Sequence, residues 1–382
     1  MPADGGADVI DLDHNATTPI DPAVLDAMWP FLAREHGNPS SDHALGRRAK
    51  AAVDTARAEV ASLIGAQPDE IVFTSGGTEA DHLAVRGVAG AAPPERRELV
   101  ISAVEHPAVN AACAAAQGFR TVVTPVTPTG VVDLAALERA VHPRTALVSV
   151  MLANNETGVI QPVAAVAGLA HAVGAPIHTD AAQAAGKIPI DVDELGVDLL
   201  TIAGHKLYAP KGVGALYVRR GTALRPVVEG GGQEHGRRAG TEAVHQLVGL
   251  GVAARVARER LAKERVRIGA LRDRLQAALV AALPGLTVTG SDTPRLPNTL
   301  HVVVPGVRAV DLLPAVPEVA ASAGAACHAG EDRPSVVLLA MGVDARRALG
   351  AVRLSLGRGT TESDVDHAAR LLATAARRLS RP

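Results

Sequence analysis

Lys206 stands in the run Ala203-Gly204-His205-Lys206-Leu207-Tyr208, directly after the apolar segment Leu199–Ala203. Burial at the end of a strand favours the neutral amine that imine formation with a carbonyl compound requires. Asp180 and Gln183 follow Ile177-His178-Thr179, and His106 follows a β-rich run that ends at Ala103. Asn154, Asn155 and Glu156 follow another, which ends at Leu152. The segment Thr74-Ser75-Gly76-Gly77-Thr78-Glu79 passes from an apolar run into Ala-rich helical sequence. Its glycines permit a sharp turn whose free N–H groups, with the Thr78 hydroxyl, can cradle a phosphate at a helix start. Taken singly, each polar residue also reads as a cap or a turn residue, and for His106 and Asn154 that is the simpler reading. Together they offer an amine, a carboxylate, a flat ring and an anion cradle.

The elements that must position them form a rhythm of short β-rich runs and Ala-rich stretches of helical length. The runs are Ile71–Thr74, Leu99–Ala103, Thr121–Pro125, Ala146–Leu152, Pro176–Thr179, Leu199–Ala203 and Gly214–Val218. Such alternation predicts an α/β fold whose mostly parallel sheet is covered by helices on both faces. Ligands of these sheets bind beyond the carboxyl ends of the strands, where the residues above fall. A helix is expected over Ala253–Val280, with Leu261, Ile268, Leu271 and Leu275 as its apolar stripe. Its basic residues interleave with Glu259, Glu264 and Asp273, the pattern of a solvated helix between two units and not of a nucleic-acid surface. A second α/β unit follows, with strands at Thr299–Val304 and Ala351–Ser355 and the loop of Cys327 between them. The expected division is a large domain over 21–255 and a smaller one made of 1–20 and 256–382.

Composition narrows the class. The chain has 382 residues, 47% hydrophobic and 20% charged, as in a soluble globular protein. A formal net charge of −2 and 2% aromatics give no field or stacking platform for nucleic acid. The longest charge-free stretch, Thr157–Thr179, is interrupted by Gln161, Pro162, His171 and Pro176, so no membrane span is expected. The start, MPADGGADVI, lacks the basic and apolar regions of a signal peptide, and two cysteines cannot frame a chain of this length with disulfides. A cytoplasmic protein is expected. Cys113 falls in an Ala-rich helical pattern and reads as a small core residue, whereas small neighbours on both sides of Cys327 suit a mobile, reactive thiol.

Pyridoxal phosphate (PLP) uses the parts gathered at the strand ends: a lysine for the imine, a carboxylate for the pyridine nitrogen and donors for the phosphate. His178-Thr179-Asp180-Ala181-Ala182-Gln183 followed by Gly204-His205-Lys206 resembles the cysteine desulfurases of the class V aminotransferase group. So do Leu12-Asp13-His14-Asn15-Ala16-Thr17-Thr18-Pro19, Gly37-Asn38-Pro39-Ser40-Ser41, Thr74–Glu79, Gly230–Gln233 and Arg353-Leu354-Ser355-Leu356-Gly357-Arg358. The resemblance runs from about Asp11 to the C-terminal helix. It implies PLP fold type I, with a large domain built on a mostly parallel seven-stranded sheet and a smaller α/β domain. It also implies that Lys206 carries the imine and later removes the Cα proton, Asp180 pairs with the pyridine nitrogen and Gln183 reaches the ring hydroxyl. His106 would stack on the ring and shuttle protons, and Gly77, Thr78 and His205 would hold the phosphate. Thr241 would reach the phosphate of a partner subunit, which makes a homodimer the expected assembly.

Asn155 and Arg353 would bind the substrate carboxylate, and Cys327 would take the sulfur of L-cysteine as a persulfide for an acceptor protein. Three positions depart from the common desulfurase pattern: Ala203 and Ala239 stand where serine is frequent, and His82 where asparagine is. Met151–Gly158 and Gly324–His328 resemble the selenocysteine lyase branch, so L-selenocysteine is the alternative substrate. A non-catalytic scaffold of the same fold is the distant alternative.

Overall fold

The structure, a computed structural model, describes residues 9–323 and 333–380. Its strands are β1 (Ile10–Asp11), β2 (Ile71–Thr74), β3 (Glu98–Ser102), β4 (Arg120–Thr124), β5 (Thr145–Ser149), β6 (Ile177–Asp180) and β7 (Leu199–Ala203). After these come β8 (Gly214–Val218), β9 (Thr287–Val288), β10 (Thr299–Val303), β11 (Val319–Ala320) and β12 (Ala351–Ser355). Seven of them form one sheet in the order β2-β8-β7-β6-β5-β3-β4. Only β8 runs against its neighbours, so the sheet is mostly parallel, as expected. Helices cover both faces, so the central strands are buried along their length, which their continuous apolar runs require.

The path through this sheet makes the site. From β3 the chain moves out to β4 and returns as β5 on the other side of β3. Loops leaving β3 and β5 therefore diverge and open a crevice at the strands' carboxyl ends. The β5 run differs from the expected Ala146–Leu152: the strand itself stops at Ser149. Val150 and Leu152 still donate to the carbonyls of His178 and Asp180, which carries the crevice wall onward from the sheet.

A helix of 39 residues, Val244–Ala282, joins two apolar cores. Its first half gives Val244, Leu247, Leu250 and Ala254 to the core under the large sheet. Its second half gives Ile268, Leu271, Leu275 and Leu279 to a core that includes strands β10 and β12 and the helix Glu362–Leu379. In that second region β12-β10-β9 form an antiparallel sheet, and β1 pairs in parallel with β11. Leu261, expected on the buried stripe, is only half-buried because it lies at the crossover between the two cores. Cys113 is buried in a core on the large sheet, where burial pushes its thiol up to about 12 and leaves it inert. No helix among the described residues is long and apolar enough to cross a membrane.

Candidate active site

A cavity of about 360 Å³ opens at the carboxyl ends of the parallel strands. Gly77, Thr78, His106, Asn155, Asp180, Gln183, His205, Lys206 and Arg353 all line it. These come from the whole length between the first third of the chain and β12, so the fold, not sequence proximity, assembles them.

Each arrives by a local device. Asp180 is the last residue of β6 and is 6% exposed. One of its oxygens, Oδ1, accepts from the Ala182 amide at 2.8 Å. Burial raises its pKa, and the Ala182 hydrogen bond and the nearby Lys206 only partly oppose that. A cationic ring nitrogen at this carboxylate would supply the missing counter-charge.

Lys206 ends a single helical turn, Gly204–Lys206, that follows β7. Its Nζ donates to the backbone carbonyls of Asn15 and Ala16 at 2.5 and 2.7 Å. The turn is pinned from outside: Thr18 donates to the His205 carbonyl, and Tyr208, held at φ +64°, donates its amide to Thr18 Oγ1. A positive φ is costly for a tyrosine, and these bonds hold it there.

The helix Gly77–Ala91 begins directly after β2, with Gly76 at its N-cap and no capping side chain. Its first amides are thus available to an anion, and the helix dipole favours one. A Cβ on Gly77 would lie 3.2 Å from the Ala203 Cβ, so the end of β7 forms the other wall of this cradle. His205 stands beside it with Nδ1 3.1 Å from Thr17 Oγ1, and burial with Lys206, Lys211 and Lys187 nearby lowers its pKa to about 4. A neutral His205 whose Nδ1 accepts from Thr17 carries its proton on Nε2 and can donate it to a phosphate.

His106 caps the helix Pro107–Ala114, its Nδ1 accepting from the Ala108 amide at 3.2 Å. The cap that was the simpler sequence reading is real, and the same ring also faces the cavity. Burial lowers its pKa, so the neutral ring bears its proton on Nε2. Asn154 proves a turn residue: its Oδ1 accepts from the Glu156 and Thr157 amides. Asn155 lines the cavity, and its carbonyl accepts from Arg353 Nη1 at 3.1 Å. Arg353, 6% exposed in β12, is fixed by Asp13 at 2.7 Å, while its Nε has no partner. Arg353 lines the cavity, and a guanidinium there fits a carboxylate ligand.

Thr241 is exposed and does not line the cavity of its own chain. Cys327 lies outside the described residues. Sequence reasoning gave no role to four other cavity or second-layer groups: Asp13, Asn15, Asp81 and Lys187. Asp81 lies on the helix Gly77–Ala91, with one polar atom each of Asp81, His106 and Asp180 within 4.8 Å of one another. These are donor types of a divalent-metal site, but they face the same cavity as Lys206 and the helix start, and a protonated pyridine ring suits them as well. Lys187 donates to Gln183 Oε1 at 2.8 Å, an i, i+4 spacing that the sequence displays.

A lysine, a buried carboxylate and an open helix start at the switch point of a seven-stranded α/β sheet are the parts that a PLP enzyme of fold type I requires. Comparison with known proteins narrows this. The family profile described as Aminotransferase class-V matches residues 10–368. A cysteine desulfurase of Gluconacetobacter diazotrophicus is 49% identical over 361 residues, covering 93% of this chain and 90% of that one. Cysteine desulfurase IscS of Anaeromyxobacter dehalogenans is 47% identical, covering 96% and 92%. The solved structure of a NifS-like protein superposes with a TM-score of 0.89 at 37% identity, over 97% of this chain and 99% of that one. The chain belongs to the class-V aminotransferase family, among its cysteine desulfurases.

Proposed function

We propose that this chain is a PLP-dependent cysteine desulfurase that converts L-cysteine to L-alanine and passes the sulfur to Cys327. The observation that carries the reading is the single cavity in which Lys206, Asp180, the open helix start at Gly77 and Arg353 converge. When bound, PLP supplies an electron sink for the charge left at the substrate Cα. Lys206 Nζ tethers the cofactor and, once released, takes the Cα proton. Asp180 holds the proton on the pyridine nitrogen, and Gln183 offers its amide to the ring hydroxyl. Gly77, Thr78 and His205 bind the phosphate. Arg353, aligned by Asp13 and by the Asn155 carbonyl, holds the substrate carboxylate. The Cys327 thiolate forms the new S–S bond as the substrate C–S bond breaks, and a proton returned to the substrate carbon completes alanine. Cysteine and enzyme thiol become alanine and enzyme persulfide, with no external oxidant.

We read the two cores as two units, 21–255 and 1–20 with 256–382, and the active assembly as a homodimer. Exposure of Thr241 away from its own cavity supports a contact with the partner's phosphate site. A persulfide on Cys327 needs a thiol kept reduced, which supports work in the cytoplasm and hand-over to an acceptor protein. The likeness of Met151–Gly158 and Gly324–His328 to selenocysteine lyases favours L-selenocysteine as a second substrate.

The test is alanine release from L-cysteine and L-selenocysteine side by side, with mass spectrometry of Cys327. Wild type is expected to give alanine from cysteine and a mass increase of one sulfur on Cys327. Lys206→Ala is expected to lose turnover while keeping PLP through its phosphate. Cys327→Ser is expected to lose cysteine desulfuration and to keep measurable selenocysteine cleavage, because selenium leaves without a thiolate acceptor. Normal cysteine turnover in either variant would overturn the assignment of that residue.

A further inference from the structure

We propose that Asn15 is a positioning residue that couples the cofactor lysine to the substrate-binding arginine, an inference that rests on the roles given above to Lys206 and Arg353. Asn15 is 1% exposed, in the segment that follows β1. Its backbone carbonyl accepts from Lys206 Nζ at 2.5 Å and from Gln183 Nε2 at 3.0 Å. Its side-chain Oδ1 accepts from Asn298 Nδ2 at 2.9 Å and from Lys187 Nζ at 3.2 Å. Its Nδ2 donates to Thr299 Oγ1 at 2.9 Å and to the Asn155 carbonyl at 3.2 Å. Its amide N–H donates to Ser355 Oγ at 2.9 Å.

This inventory uses every donor and lone pair that an asparagine possesses. The orientation of the side-chain amide is fixed by chemistry: the Asn155 carbonyl can only accept, so Nδ2 faces it. The Asn155 carbonyl also accepts from Arg353 Nη1. One residue therefore holds the released position of the lysine through its backbone and the frame of the arginine through its side chain. It also ties the cavity of the large sheet to β10 and β12 through Thr299 and Ser355. Asn15→Ala loses all four side-chain bonds, with two effects: Asn298 and Thr299 lose a partner while Lys187 keeps only Gln183 among these acceptors, and the Asn155–Arg353 pair is free to shift.

Asn15→Asp separates the two effects. Its carboxylate still accepts from Lys187 and Asn298, so the packing of the fold is retained, but it has no donor for the Asn155 carbonyl. The measurement is equilibrium binding of the product L-alanine to holoenzyme, read from the cofactor's visible absorbance, together with Tm. Asn15→Ala is expected to bind alanine about tenfold more weakly and to melt earlier, as for one lost hydrogen bond beside a charged group. Asn15→Asp is expected to recover most of the Tm but not the affinity. Alanine affinity within twofold of wild type in both variants would overturn the proposal, as would recovery of affinity together with Tm in Asn15→Asp. If wild type itself neither binds alanine nor forms it from cysteine, the desulfurase reading fails instead, which the wild-type arm shows separately.

Discussion

Asp180 lies in a place that disfavours charge, whereas the role proposed for it needs the charge. Asp81 and Glu105 crowd the same interior, and burial pushes both carboxyls up, Glu105 to about 8. Asp180, at the end of β6 and facing the cavity, is the acid assigned here to a cofactor ring nitrogen. An amide at this position cannot hold a proton on the ring nitrogen. Asp180→Asn is therefore expected to retain PLP but to lose about a hundredfold or more in kcat, a few kcal/mol of transition-state stabilisation. Near-normal kcat would move the electron-sink role elsewhere. Glu105 makes a stability prediction. Its Oε1 accepts from Ser102 and the Met151 amide, while Oε2 is buried with no partner among the described residues, so nothing there offsets a negative charge. A carboxyl whose folded pKa is raised stabilises the fold fully below its unfolded value near 4.5, and that stability is lost as pH climbs through about 8. Glu105→Gln stays neutral throughout. Its Tm relative to wild type should thus rise steadily between pH 5 and pH 8 in thermal melts, and a pH-independent difference would show Glu105 ionised in the fold.

At the scale of elements, what a short window of sequence contains was legible. Seven strands of the large sheet follow from β-rich runs of four to seven residues, and most site residues from their position at or just after the ends of those runs. Asn15 and Asp13 carried no such signal, because partners of theirs lie 340 residues away and only the folded chain brings them near. The long helix shows a different limit. It was expected to start at Ala253 but begins at Val244, and the added turns carry Gly249 and Gly251. In the fold they are contact points. A Cβ on Gly249 would lie 2.7 Å from Met28 Sδ, and one on Gly251 2.5 Å from the Ala56 Cα. Both glycines let helices Pro22–Ala33 and Ala44–Leu63 approach closely, and packing outweighs the roughly 1 kcal/mol each costs in helix propensity. Gly251→Val should therefore lower stability by about 2 kcal/mol or more through overpacking, measured by urea unfolding of the holoenzyme. A stabilised Gly251→Val, as propensity alone would give, would show that the close approach is dispensable.

Across the whole molecule, the turn that carries Lys206 depends on residues from three distant parts of the chain. The Arg358 guanidinium lies 4.1 Å over the Tyr208 ring, and its amide donates to the Tyr208 hydroxyl at 2.8 Å. Its side chain reaches Asp21 at 3.0 Å and Glu264, on the long helix, at 3.1 Å. Asp21 closes the loop by donating its amide to the Tyr208 carbonyl. The N-terminal segment, the long helix and the stretch after β12 thus meet on a tyrosine held at positive φ, two residues from the cofactor lysine. Arg358→Met keeps much of the apolar bulk but leaves the Asp21 carboxylate, 8% exposed, without its cation. Breaking a buried pair on one side costs about 3 kcal/mol or more. A fall in Tm of roughly 5 °C or more is expected, with faster loss of PLP on dilution as the Lys206 turn relaxes. Arg378→Met, at an exposed position near the end of the last helix, is the matched control and should change neither quantity. Equal melting of the two variants would mean that the turn is held by Thr18 and the backbone alone. A lowered Tm with unchanged PLP retention would confine Arg358 to joining the two cores and remove it from the support of the site.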